Sequence, residues 1–122
     1  MSLKSLMLGL VIGAAVVGAA WAQSTPAKKA YLLVQSDVTN PDQYAIYAKT
    51  TPPAVEKFGG KFLARGGRNV TLEGPKAPSR VVVIEFPNFE AAQAFYNSPE
   101  YTASRKLRAG AATMQFVAVE GL

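Results

Sequence analysis

Six side chains in the sequence have the chemistry to bind or transform a small molecule. Arg65 ends the apolar run FLAR and is followed by two glycines, while Arg80 begins the apolar run RVVVIEF. A guanidinium forks onto a carboxylate or an enolate through paired N–H groups, and tyrosine rings pack against the body of such a ligand. A carboxylate beside them serves as a base or orients an arginine. The predicted ligand-binding residues are Tyr44, Tyr47, Arg65, Arg80, Glu85 and Tyr96.

A structural interpretation of the same residues stands beside this one. Arg65 can pair with Glu73 and Arg80 with Glu85, in which case the two ion pairs tie down a hairpin. The carboxylate of Glu85 is costly in an apolar strand unless it is paired. The arginines are neighbours only if the connection 66–79 is tight, and the tyrosines can also belong to the core or to an interface. Both interpretations therefore stay open at the level of sequence.

The residue types that are absent narrow the possible chemistry. The chain has no His and no Cys, so zinc and copper sites, disulfide exchange and a Ser-His-Asp or Cys-His nucleophile are not expected. The eight acidic residues are scattered without the spacing of a calcium loop. The glycine pairs predict turns rather than a phosphate-binding loop. We therefore expect no metal and no cofactor, and any chemistry would use Arg, Lys, Tyr, Asp, Glu or amide groups.

The N-terminus has the pattern of a secretory signal peptide. Lys4 precedes an apolar run over 6–20, and the small residues Ala20 and Ala22 precede a cleavage point before Gln23. An uncleaved anchor is the alternative, because the apolar stretch approaches the roughly 20 residues that span a bilayer. Cleavage predicts a periplasmic or secreted protein without a membrane attachment. The predicted divisions are a signal peptide at 1–22, a flexible leader at 23–29 and a folded domain at 30–122.

Nucleic acid is not expected among the partners. The formal net charge is only +5, no stacking aromatics lie between the basic residues, and the predicted location is outside the cytoplasm. Arg105, Lys106 and Arg108 come at the end of a predicted helix, where cations offset the helix dipole. These three residues are therefore predicted to have a structural role.

The order of predicted elements is strand, helix, strand, strand, helix, strand. Helices are expected to begin where capping residues and prolines precede a helical pattern, at Asn40-Pro41, at Asn88 and at Ser98-Pro99. Strands are expected at 30–38, 61–66, 80–86 and 112–120. Two split crossovers of this kind predict an α+β fold, a ferredoxin-like βαββαβ sandwich with an antiparallel four-stranded sheet.

Two prolines interrupt the first helical pattern. Pro52 and Pro53 each remove a backbone N–H, and an interior proline costs a helix about 3 kcal/mol or more. The first helix is therefore predicted to kink or restart near Thr51.

The predicted strands are apolar on both faces. The runs YLLV and VVVI lack the alternation of a sheet that has one face in water. Helices cover only one face of such a sheet, so the other face needs a second cover. The simplest cover is the same sheet of a second subunit, and we therefore expect a homodimer whose sheets pack face to face.

Several stretches together resemble a known family. The motifs RGG, LEG, RVVVIEFPNFEAAQAFYNSPEY and the closing VAVEG, in this order over about residues 31–121, resemble the domain of unknown function 1330, a family within the dimeric α+β barrel superfamily. The resemblance implies the fold and the dimer, but it implies no activity. Superfamily relatives include cofactor-independent monooxygenases, lactone isomerases and haem-binding enzymes, and the last need an axial ligand that is not evident here. Many family members are cytoplasmic domains alone, so the leader peptide is a departure.

Three functional interpretations remain open. The first is an exported domain that binds a small anionic or aromatic molecule in an Arg/Tyr cleft of a homodimer. The second is a cofactor-independent isomerase or monooxygenase. The third is a structural dimerising domain without a ligand.

Overall fold

The computed structural model describes residues 26–76 and 79–122. The predicted signal peptide at 1–22 and residues 23–25 of the predicted leader lie outside these residues. Among the helices of the described residues, none is both long and apolar enough to cross a membrane.

The described residues form four strands and three helices. Their bounds in chain order are β1 Ala30–Val38, α1 Pro41–Lys57, β2 Lys61–Arg65, β3 Arg80–Phe86, α2 Phe89–Asn97, α3 Pro99–Leu107 and β4 Ala112–Glu120. The strands form one sheet in the order β2-β3-β1-β4, and every neighbouring pair is antiparallel. This is the predicted ferredoxin-like α+β architecture, and the fold class is confirmed.

Side-chain caps begin all three helices at the predicted points. The Asn40 side chain accepts a hydrogen bond from the Gln43 backbone N–H at 3.2 Å, and Asn88 accepts one from Ala91 at 2.7 Å. Ser98 accepts the third, from the N–H of Tyr101 at 3.1 Å. Each cap satisfies a backbone donor that has no partner within its helix.

The first helix does not restart at its prolines. Helix α1 is continuous from Pro41 to Lys57 with Pro52 and Pro53 inside it, so the predicted restart near Thr51 is wrong. The prolines still remove the N–H groups that would bond the carbonyls of residues 48 and 49. The helix continues because these are only two of its backbone hydrogen bonds, and because one released carbonyl finds a partner on strand β2.

A register shift in the sheet determines which way Arg65 points. Phe62 pairs with Ile84, but the next pair joins Ala64 to Val83, so Leu63 is an extra residue in β2. The side chains of a strand alternate between faces, and one inserted residue moves the following side chains to the opposite face. Arg65 therefore lies opposite Val82, on the sheet face that the helices cover.

The two faces of the sheet have different surroundings. The helices bury one face, where Leu32, Val34, Val82, Ile84 and Phe86 contribute to the core together with aromatic side chains of the helices. We call the opposite side, which carries Tyr31, Leu33, Val81, Val83, Val117 and Val119, the open face. Leu33 is 41% exposed, and its pairing partner Val117 is 44% exposed. Apolar side chains thus lie uncovered on the open face.

Candidate functional site

Four of the six predicted ligand-binding residues line one cavity between α1 and the sheet, which we call the first cleft. Its polar side chains include Tyr44, Tyr47, Arg65 and Arg80. Its inner part is a cavity of about 30 Å³, which is room for one or two water molecules. A wider outer groove of about 480 Å³ shares Tyr44, Ala48 and Arg80 with it. The remaining inner walls are Val34, Ala48, Thr51, Phe62, Val82, Ile84, Phe95, Met114 and Phe116.

Arg65 bonds to the carbonyl that Pro52 releases. An Ala48 carbonyl in a regular helix accepts the N–H of residue 52, but proline has none. The Arg65 Nη2 donates to this carbonyl oxygen at 2.7 Å, while its guanidinium lies 4.6 Å from the centroid of the Phe62 ring. Arg65 thus ties strand β2 to helix α1 and leaves its other N–H groups for further partners.

Arg80 reaches the same cleft because Gly66 has no side chain. Gly66 has a positive φ of 68°, which glycine adopts without strain. A Cβ at this position would come within 2.7 Å of the Arg80 guanidinium carbon. The guanidinium lies 5.6 Å from the centroid of the Tyr44 ring, and the buried Arg80 Nε has no hydrogen-bond partner in the described part of the chain.

Neither arginine has the acidic partner that the structural interpretation predicted. Among the described residues, the ion pairs join Lys29 to Glu85 at 3.5 Å and Lys57 to Glu100 at 2.6 Å. Glu85 belongs to the open face, paired in register with Tyr31, so it lies on the side of the sheet opposite the cleft. The predicted Arg80–Glu85 pair is wrong for this reason, and no Arg65–Glu73 pair forms in the described structure.

The tyrosine hydroxyls in and behind the first cleft take part in hydrogen bonds. The Tyr47 and Tyr101 hydroxyl oxygens are 2.7 Å apart, and the Tyr44 hydroxyl lies 3.3 Å from the Ser36 Oγ. Burial raises the pKa of Tyr47, and burial together with the neighbouring Tyr47 raises the pKa of Tyr101. Both groups therefore stay protonated at neutral pH and are hydrogen-bond donors rather than bases.

Tyr96 lies apart from the other predicted site residues. Its hydroxyl accepts a hydrogen bond from the Arg105 Nη1 at 2.6 Å. Both residues line a second cleft beside β4, which shares only Met114 and Phe116 with the described lining of the first cleft. The structure also adds two contacts that the sequence interpretation missed, the Ala48 carbonyl and the Phe62 ring. The sequence did contain a signal for the Ala48 carbonyl. In a helix this carbonyl would accept the N–H of residue 52, and Pro52 has no N–H.

The described residues that line the first cleft offer hydrogen-bond donors and include no carboxylate or amine base. Two guanidinium groups and tyrosine hydroxyls supply donors, and none of the residues that line the inner cavity is Asp, Glu, Lys or His. In the described residues, no three acidic side chains lie close enough together to hold a metal ion. The geometry therefore favours charge recognition over proton abstraction.

The bond between Arg65 and Ala48 is expected to depend on Pro52. Arg65→Met removes the donor and should lower the free energy of unfolding by about 1 kcal/mol. Pro52→Ala supplies the missing N–H to the same carbonyl, so Arg65→Met should cost little in that background. Urea unfolding of the double-mutant cycle measures the coupling. Pro53→Ala is the matched control, because it leaves the Ala48 carbonyl released. An equal cost of Arg65→Met in all three backgrounds would contradict this account.

Gly66 and Gly67 should differ in their tolerance of a methyl group. Gly66→Ala places a side chain at positive φ and against the Arg80 guanidinium, which should cost at least about 1 kcal/mol of stability. Gly67 has no heavy atom within 4 Å of the position of an added Cβ, so Gly67→Ala should change stability by less than about 0.5 kcal/mol. Urea denaturation compares the two variants, and similar losses would show that Gly66 has no special role.

Comparison with solved structures shows the same fold in other proteins. A protein of unknown function from Rhodopseudomonas palustris is 23% identical, with 87% of this chain and 92% of that chain covered and a TM-score of 0.60. SnoaB, a cofactor-independent oxygenase from Streptomyces nogalater, is 13% identical, with 79% and 95% covered and a TM-score of 0.57. An Arabidopsis thaliana protein studied in solution is 12% identical, with 83% and 96% covered and a TM-score of 0.55.

These structural similarities establish the fold alone, because similar folds serve unrelated functions. No curated protein matches the sequence. The model of one family, described as a domain of unknown function, DUF1330, matches residues 29–122. This match covers the strands, the helices and both clefts, and the chain belongs to the DUF1330 family.

Proposed function

We propose that this DUF1330 protein binds a small organic anion in the first cleft. The observation that carries the proposal is the presence of Arg65 and Arg80 around one cavity that no carboxylate lines. Two like charges around one cavity repel each other, and an anion bound between them would relieve that repulsion. Guanidinium groups also match the geometry of a carboxylate.

The dimensions of the first cleft support a ligand with a small charged group and a flat apolar body. The inner cavity of about 30 Å³ has room for a carboxylate or enolate group. The outer groove of about 480 Å³ falls within the size range of ligand pockets. Tyr44 lines both parts, and its ring provides a face for an aromatic body. The proposed ligand class is therefore a small aromatic or unsaturated carboxylate or enolate.

A cofactor-independent isomerase or monooxygenase is the second candidate. It is supported by the fold, which this chain shares with an oxygenase of that kind at 13% identity. Such chemistry begins with removal of a proton from the substrate, and the inner cavity offers no base among its lining residues. A substrate that is already ionised would avoid this requirement, and oxygen consumption that depends on Arg80 would support the candidate.

We propose further that the protein acts as a homodimer outside the cytoplasm, in the periplasm or secreted. The uncovered apolar side chains of the open face, among them Leu33 and Val117, support the dimer because their burial against a second copy is favourable. Both clefts are on the other side of the sheet, so this dimer leaves them accessible. The signal-like N-terminus supports the location.

Ligand binding should depend on Arg80 and on the charge of the ligand. Benzoate should bind to the first cleft and shift the NMR signal of the Ala48 methyl group, whereas neutral benzamide should bind at least roughly tenfold more weakly. Arg80→Gln should weaken benzoate binding by a similar factor. Arg68→Gln is the matched control, because Arg68 is exposed and does not line the cleft.

Two results would contradict the binding proposal. One is equal affinity for benzoate and benzamide, and the other is equal affinity of the Arg80→Gln and Arg68→Gln variants. Loss of stability in Arg80→Gln, with no binding by the native protein, would instead support the purely structural dimerising domain.

The proposed dimer should dissociate when the open face is charged. Val117→Glu places a carboxylate among the apolar side chains, so burial against a second copy becomes unfavourable and the variant should be monomeric. Ile46→Glu is the control, because Ile46 is 57% exposed on helix α1. Native mass spectrometry of protein recovered after export measures the oligomeric state, and the mass also tests cleavage before Gln23. A monomeric native protein at micromolar concentration would overturn the dimer.

A further inference from the structure

A second cleft lies between helices α2 and α3 and strand β4, and it shares Met114 and Phe116 with the Arg65–Arg80 cavity. It has a volume of about 540 Å³, which falls within the size range of ligand pockets. Its charged side chains are Arg105 and Arg108, and Tyr96 joins them with a ring and a hydroxyl. The other lining residues are Leu32, Ala92, Gln93, Asn97, Met114, Phe116 and Ala118.

Arg105 and Arg108 point into the second cleft, whereas Lys106, at the same end of helix α3, is exposed. Lys106 is exposed, as expected for a cation that offsets the helix dipole. Arg105 and Arg108 are half-buried and line the cleft. The dipole accounts for cations at this position in the chain, but it does not account for guanidinium groups that turn toward aromatic walls.

Aromatic rings hold both guanidinium groups in place. Arg105 lies 4.9 Å from the centroid of the Tyr96 ring and also donates to the hydroxyl of that residue. Arg108 lies 5.4 Å from the centroid of the Tyr47 ring and 5.6 Å from that of Phe116. Contacts of this kind fix the orientation of a guanidinium while leaving some of its N–H groups unused.

The second cleft has positive charge without a compensating carboxylate. In the described part of the chain, no acidic oxygen lies within 4.0 Å of either guanidinium, since the ion pairs there involve lysines. The Arg108 Nε is buried without a hydrogen-bond partner. Burial lowers the pKa of Arg108, but the hydroxyls of Tyr101 and Tyr47 outweigh burial and raise the pKa overall. Arg108 therefore stays charged.

We propose that this second cleft binds an aromatic carboxylate with two or more fused rings, through Arg105 and Arg108. The carboxylate would meet the two guanidinium groups, and the ring system would lie against Phe116 and Ala118. An anion here neutralises like charges three residues apart on one helix end, which otherwise repel. The proposal does not depend on a ligand in the first cleft, because the charged residues of the two clefts are different.

The experiment titrates the full chain with 2-naphthoate and, separately, with neutral 2-naphthamide. The methyl signals of Ala92 and Ala118 report on the second cleft, and the Ala48 methyl reports on the first. We expect 2-naphthoate to shift the Ala92 and Ala118 signals and to bind at least roughly tenfold more tightly than the amide. Equal affinity of the two compounds, or shifts confined to Ala48, would overturn the proposal.

Substitution of Arg105 tests whether the guanidinium groups of the second cleft bind 2-naphthoate. Arg105→Gln should weaken 2-naphthoate roughly tenfold, measured at the Ala92 and Ala118 signals. Lys106→Gln removes the same charge from the same helical turn at an exposed position, so it should leave the affinity unchanged. An equal loss of 2-naphthoate affinity in both variants would show a general effect of charge and would overturn the proposed site.

Further controls separate this site from the first cleft and from folding defects. Arg80→Gln, which impairs only the first cleft, should leave the Ala92 and Ala118 shifts intact, and loss of these shifts would contradict a separate site. If Arg105→Gln fails to fold, Arg105→Lys keeps the charge but loses the forked geometry, and it should still bind 2-naphthoate more weakly than the native protein. Unchanged binding by Arg105→Lys would count against guanidinium recognition.

Discussion

The first cleft depends on the backbone N–H that Pro52 lacks, because its absence leaves the Ala48 carbonyl free to bond to Arg65. A helical carbonyl without its partner must bond elsewhere, and in this domain the Ala48 carbonyl bonds to Arg65. One hydrogen bond thus joins the middle of helix α1 to the end of strand β2, the edge strand of the sheet. The first cleft lies beside this connection, between helix α1 and the apolar face of the sheet.

Two local backbone features allow that contact to form. The extra residue Leu63 turns Arg65 toward the helices, and Gly66 then leaves room for the Arg80 guanidinium beside the chain. Gly66, which follows Arg65 in the chain, therefore makes room for Arg80. Because the uncovered apolar residues of the open face and the two clefts lie on different sides of one sheet, the proposed association and the proposed binding would not compete for the same surface.

The strands and the helix starts could be predicted because local chemistry determines them. Asn40, Asn88 and Ser98 cap helices, and the apolar runs become strands. The continuity of α1 could not be predicted from Pro52 and Pro53, because tertiary contacts of the helix offset the local cost. The direction of Arg65 depended on a bulge in β2 that no residue type announces. The absence of an Arg80–Glu85 pair could have been predicted, because residues five apart in one strand point to opposite faces. The sequence predicts only that Arg105 and Arg108 offset a helix dipole. Their packing against aromatic rings depends on tertiary structure and could not be predicted.

The sequence allowed either a ligand-binding or a structural role for Arg65. The structure shows that the two roles are compatible. A guanidinium has five N–H donors, and the bond to the Ala48 carbonyl uses one of them. This bond fixes the orientation of the group before any ligand arrives, which lowers the entropy that binding would otherwise cost. A structural role for Arg65 is therefore compatible with the proposed binding role, and loss of stability on its replacement is no argument against that role.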